Sequence, residues 1–127
     1  MKLVIDTSII IDKLRGGPKW DLFLEEISGK EVELYLPSIV AFEIFSGKST
    51  KKITVSKKVT TFLEMFIKKD LTIPIAVRAG KIYRDTGLVL AIPDYIIAAT
   101  ALEMGGEVVT LNTKHFQKIP GVAVFEY

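Results

Sequence analysis

The chain has 127 residues, no cysteine, 17 basic and 15 acidic side chains and a formal charge of +2. This length predicts a single domain over residues 1–127 that can bury a core without staples. The missing thiols exclude a disulfide scaffold, a cysteine zinc site and a thiol nucleophile.

With 49% hydrophobic residues the sequence is too apolar for disorder. No run approaches the ~18 apolar residues of a membrane span and no signal pattern opens the chain, so the expectation is a cytoplasmic protein without a membrane partner. One Asn and one Gln beside 14 Lys and 9 Glu is a tendency of heat-adapted chains. A mean hydropathy of +0.34 points to apolar surface that another chain covers.

In chain order, residues 2–6 read as a strand apolar on both faces, as in the centre of a parallel sheet. A helix over about 8–14 follows and stops at Gly16-Gly17-Pro18. Pro18 opens a second helix over 19–28, with Trp20, Phe23, Leu24 and Ile27 on one face. Residues 32–36 are the next strand, and a helix over 38–46 ends at Gly47. Lys48, Lys51, Lys52, Lys57 and Lys58, with no acid among them, lead into a longer helix over 55–69. There Val59, Phe62, Leu63, Phe66 and Ile67 keep a helical period. Residues 71–74 are predicted as a short strand, followed by a helix to Asp85 and Gly87. Pro93 starts a helix to Met104, closed by Gly105-Gly106, and residues 107–111 and 122–125 are the last strands. This alternation predicts an α/β fold with a mainly parallel sheet and helices on both faces.

The five clustered lysines exceed the total charge of +2, so they form a basic segment on a net acidic body. Two readings stand level: a solvated loop and helix start, or a patch whose field guides a polyanion.

Open parallel sheets place ligands beyond the carboxyl ends of their strands, and four residues stand there. Asp6 ends the first strand, where it either caps the following helix or faces a ligand. Glu43 is the one polar residue from Ile39 to Phe45, in a helix apolar on every side, and is therefore expected to be buried. A carboxylate there needs either an ion pair with a Lys or Arg or a functional cation, and the second is favoured. Asp94 follows Pro93 in a helix first turn, suited to the macrodipole, yet it stacks on Ile97, Ala98 and Ala101 of the packed face. Asn112, the only Asn, follows a strand as a turn residue or a site residue.

Three carboxylates and a carboxamide brought together without a cation repel one another. An all-oxygen set suits Mg²⁺ or Mn²⁺ rather than Zn²⁺, and such sites commonly serve phosphoryl chemistry. Other α/β chemistries lack their motifs. There is no GxGxxG, GxxxxGK[ST] or GxSxG, and Ser8 stands where a haloacid-dehalogenase-type phosphatase needs a second Asp. His115, the only histidine, reads as a loop residue near the site and a candidate phosphate contact.

Asp6-Thr7-Ser8 after an apolar strand resembles the opening of PIN-domain nucleases, specifically of VapC-type toxins. Phe42-Glu43-Ile44-Phe45-Ser46-Gly47 resembles their helical Glu with its trailing Gly. The run from Asp94 to Ala101 is very similar to the third acidic motif, and the run from Thr110 to Phe116 resembles the last. The matches come in the family's order and span nearly the whole chain.

The resemblance implies a PIN-like fold and a metal-dependent ribonuclease, the toxin of a toxin–antitoxin pair. It implies that Asp6, Glu43 and Asp94 hold Mg²⁺ or Mn²⁺, and that a metal-activated water attacks a phosphodiester of RNA in line. Asn112 falls where many relatives carry Asp, giving three negative charges rather than four. Thr7, Ser8 and Thr110 are expected either to orient the carboxylates or to make capping and turn bonds. Lys48, Lys51, Lys52 and His115 are the expected RNA contacts. Further partners are a small antitoxin and, from the apolar excess and Phe42, Phe45, Phe62 and Phe66, a second copy in a homodimer. Alternatives are a housekeeping PIN nuclease of RNA maturation and a non-catalytic binding module whose acids form structural ion pairs.

Overall fold

A computed structural model describes residues 1–127. Five short strands, β1 (Lys2–Ile5), β2 (Glu33–Pro37), β3 (Ile67–Lys69), β4 (Glu107–Val109) and β5 (Ala123–Val124), form one sheet in the order β3-β2-β1-β4-β5. All four pairings are parallel, so the fold class is the expected one. Around the sheet lie α1 (Thr7–Leu14), α2 (Lys19–Ile27), α3 (Ser38–Phe45), α4 (Ile53–Leu63), α5 (Ile73–Thr86), α6 (Ile92–Met104) and α7 (Thr113–Gln117), with a 3₁₀ turn at Lys48–Lys51. No helix is long and apolar enough to cross a membrane.

β1 is central because its side chains suit burial on both faces: Leu3, Val4 and Ile5 are fully enclosed. From β1 the chain winds outward through β2 and β3, then returns to place β4 on the other side of β1. Strand order therefore reverses between β1 and β4, and in open parallel sheets the ligand crevice lies beyond the carboxyl ends of strands at such a point. At the other side of the core, Trp20 packs edge-on to Phe62 and Phe66 at 5.4 and 5.6 Å, which fixes α2 against α4. Trp20, Phe23 and Ile27 form the buried face of α2, while Leu24 is exposed.

Three elements differ from expectation. The helical period through Phe66 does not extend the helix, because α4 ends at Leu63 and Lys68 donates from its ammonium to the carbonyls of Leu63 and Phe66. Phe66 reaches the core from the turn, and Ile67–Lys69 becomes the edge strand β3. Its two lysines protect that edge from further pairing. The predicted strand at 71–74 is instead a helix start: Thr72 accepts from the Ile75 amide at 3.3 Å and Pro74 occupies the first turn of α5. The short helix α7 carries His115, which is therefore not a loop residue.

Gly105, at φ +67°, ends α6 in a left-handed turn. Gly106 then lets the chain pass close to β1, since a Cβ there would stand 2.9 Å from the Lys2 carbonyl oxygen. Gly106→Ala is expected to cost about 1–3 kcal/mol of unfolding free energy in a denaturant titration, through the shift forced on β4. An unchanged midpoint would show that β4 moves freely.

Candidate active site

β1 delivers Asp6 to the mouth of the crevice, and its backbone N–H extends the ladder by donating to the Val109 carbonyl at 2.9 Å. Asp6 occupies the N-cap position of α1, yet its side chain makes no capping bond. The carboxylate is only 3% exposed. Its Oδ2 accepts from Ser8 Oγ and from Thr110 Oγ1, both at 2.7 Å. Those hydroxyls are held in turn by backbone amides: Leu111 donates to Ser8 Oγ and Asn112 to Thr110 Oγ1, each at 2.9 Å. Each hydroxyl therefore spends its proton on Asp6 while accepting one from the chain beyond β4, a polarised arrangement that holds the carboxylate rigidly. Asp6 Oδ1 takes no such bond, and no buried polar side-chain atom is left without a partner, so this oxygen opens on the crevice.

Glu43 reaches the same place from α3. Thr7 Oγ1 donates to its Oε1 at 2.6 Å, a short charge-assisted bond. Glu43 is half-buried rather than buried, because α3 leaves Phe42 66% and Phe45 40% exposed. An all-apolar helix is not an enclosed one here. Asp94 stands in the first turn of α6, also half-buried, on the helix that packs against β1, β4 and α3.

The three carboxylates share one field. Asp94 is pushed up to about 6, first by burial and then by the charges of Asp6 and Glu43, with His115 and a backbone hydrogen bond at Ala91 opposing. Glu43 is also raised, mainly by burial and further by Asp6, against the lowering bond from Thr7. None of the chain's four ion pairs includes any of them. Structural ion pairs, the requirement of the non-catalytic reading, are thus not formed. The carboxylates do not close into a tight cage either: no three His, Asp or Glu side chains stand in a ready-made metal cluster.

The donor set nevertheless fits a hard cation. It offers only oxygen, Asp6 and Glu43 each have one oxygen fixed by a hydroxyl, and no ion pair ties up any of the three carboxylates. Asn112 caps α7 by position without a side-chain capping bond, is exposed, and braces Thr110 through its backbone. Lys48 and Lys51 lie exposed on the 3₁₀ turn, with Lys52 just after it. The structure adds one cation that the sequence does not single out for this role, Arg15, and sets Lys58 of the basic segment beside it. Arg15 and Lys58 line a groove that Glu43 also lines.

The sequence matches the PIN-domain family over residues 3–122. The chain belongs to that family. This PIN domain is 30% identical over 98% of its length to "Ribonuclease VapC" of Rickettsia bellii, covering 95% of that protein. It is 29% identical to "Ribonuclease VapC19" of Mycobacterium tuberculosis, covering 94% of this chain and 95% of the relative. Among solved structures, a toxin–antitoxin complex from Klebsiella pneumoniae contains a chain 28% identical, with a TM-score of 0.78 over 98% of this PIN domain and 99% of that chain.

The raised Asp94 sets a pH dependence for the metal-free protein. A pKa higher in the folded than in the unfolded chain means that the folded state binds the extra proton. The resulting stability is fully present near the ordinary carboxylate value and is lost as pH rises through about 6. Glu43 adds the same sign. In EDTA, Tm should fall from about pH 4 to about pH 7, and Asp94→Asn should flatten the fall. A slope identical in the variant would contradict this field.

Proposed function

We propose that this PIN domain is a divalent-metal-dependent ribonuclease, the toxin of a toxin–antitoxin pair. The observation that carries the reading is the trio Asp6, Glu43 and Asp94, unpaired and mutually repelling at the switch point of the sheet. The two relatives named as VapC ribonucleases support the substrate class.

Asp6, Glu43 and Asp94 are the residues that would hold Mg²⁺ or Mn²⁺. When bound, the cation would supply Lewis-acid polarisation and a water made acidic enough to ionise near neutral pH. Ser8 and Thr110 keep Asp6 Oδ1 aimed into the crevice, and Thr7 does the same for Glu43. Asn112 contributes a neutral carboxamide at the rim, keeping the site at three negative charges. Lys48, Lys51 and Lys52 supply positive charge for the RNA, His115 is a candidate phosphate contact, and the proposed setting is the cytoplasm.

Two protein partners belong to the reading. The likeness to a chain of a toxin–antitoxin complex supports a small antitoxin. A second copy is supported by apolar surface on α5 and α6, where Ile73, Tyr83 and Ile92 are well exposed. Between them Leu71, Ala76, Gly80 and Ile96 help to line an apolar groove of about 260 Å³. The phenylalanines divide otherwise than expected: Phe66 is buried and Phe62 packs on Trp20, so only Phe42 and Phe45 remain as surface.

Asp6→Asn and Asp94→Asn keep side-chain shape and delete charge. Each should reduce Mn²⁺-dependent RNA cleavage by at least the ~10–100-fold typical of changes to a ligand's supporting partners, with an unchanged circular dichroism spectrum. Wild-type cleavage by either variant would remove the assignment. Light scattering should report about twice the 14.1 kDa chain mass, and Ile92→Glu should return the protein to a single chain. A wild-type mass of one chain at micromolar concentration would remove the dimer.

A further inference from the structure

Beside the carboxylates runs a groove of about 490 Å³ between α1, α3 and α4, within the range of ligand sites. Its wall includes Glu43, so the groove runs up to one of the three carboxylates. Every other charged residue lining it is a cation, namely Arg15 at the end of α1 and Lys58 on α4.

The pairing of charges elsewhere makes these two conspicuous. The chain has three arginines. Arg78 binds Glu103 at 2.7 Å and Arg84 binds Asp85 at 2.6 Å, which leaves Arg15 as the one arginine without a carboxylate. Lys58 belongs to a five-lysine segment in which no member forms an ion pair. The hydroxyl of Thr50 is committed to the carbonyls of Phe45 and Gly47, holding the 3₁₀ turn as the groove's rim.

A nuclease built on three carboxylates faces an electrostatic difficulty, since its substrate carries the same sign of charge. Positive charge must meet phosphates away from the cleaved bond, close enough to steer the strand and far enough not to neutralise the carboxylates. We propose that this groove is the track for the RNA backbone next to the cleaved phosphodiester, with Arg15 and Lys58 each contacting a phosphate that is not itself cleaved. The proposal rests on the ribonuclease reading and adds to it the path of the strand. Arg15 offers a planar fork suited to two phosphate oxygens, and Lys58 a point charge. The floor, with Ile11, Ile44 and Val59, gives sugars and base faces an apolar surface.

The test measures binding of a labelled, mixed-sequence, single-stranded RNA by fluorescence anisotropy, in EDTA, across a salt series. Arg15→Ala with Lys58→Ala should raise Kd on the order of tenfold and flatten the slope of log K against log salt by about 1.4, at ~0.7 per lost single-strand phosphate contact. Both side chains are at the surface of the groove, and a circular dichroism spectrum matching the parent shows that the double variant folds. Lys2→Ala with Lys30→Ala, at the opposite end of the sheet, should leave both quantities unchanged. An unaltered Kd and slope in the groove variant overturn the proposal, as does a variant that loses affinity only for an acidic peptide. Cleavage is scored separately in Mn²⁺. A chain that binds RNA through the groove without ever cutting it refutes the ribonuclease reading and leaves the track standing. One that cuts RNA while the groove variant binds normally refutes the track alone.

Discussion

The carboxylate of Asp6 is almost wholly withdrawn from water, with two hydroxyl protons for company and no cation. Removing an ionised carboxylate from water costs several kcal/mol unless donors or a counter-charge compensate. Here the donors are Ser8 and Thr110, and much of the fold serves their positions. The apolar run of β1 fixes where Asp6 emerges. Gly106 lets β4 lie against β1, so that Thr110 arrives beside it. The first turn of α1 brings Ser8 back over the same oxygen, and both hydroxyls are steadied by amides of the segment leading to α7. Both donors go to Oδ2, and the charge on Oδ1 is left facing the crevice.

Two further carboxylates then stand in the same field, and neither is neutralised by a basic side chain. Such an arrangement opposes folding, since Asp94 holds its proton up to about pH 6 rather than accept the charge. Proteins keep local destabilisation of this kind where function uses it. The positive charge of the chain lies to one side, on Arg15 and the lysine segment, where it opposes the crevice instead of filling it. Separation of the two signs along one surface is what a polyanionic substrate needs: attraction along the strand, and an uncompensated negative pocket at one point of it.

Most of this is legible in the sequence. The doubly apolar β1, the carboxylates after strand ends and the alternation of elements each have a direct physical reason and led to the α/β sheet. The misplaced elements share a different cause. Phe66 continues a helical period because it packs on Trp20 from a turn, and nothing in the local pattern announces that Lys68 will cap α4. Residues 71–74 carried the opposite lesson. Thr72 followed by Pro74 is a helix-start signal. Glu43 was expected to be buried because its helix has no polar face, but Phe42 and Phe45 show that such a face can remain in water. Arg15 left no trace in the sequence, since its significance lies in the carboxylates it does not meet.

In the proposed function, Asp6, Glu43 and Asp94 are arranged for a divalent cation rather than for each other. The most direct test is a calorimetric titration of Mn²⁺ into the metal-free protein at pH 6, where Asp94 is about half protonated, beside Asp6→Asn. The wild-type chain should bind saturably and the variant should not, with protons released on binding as Asp94 gives up its own. Absence of binding by the wild type, or equal binding by Asp6→Asn, would contradict it.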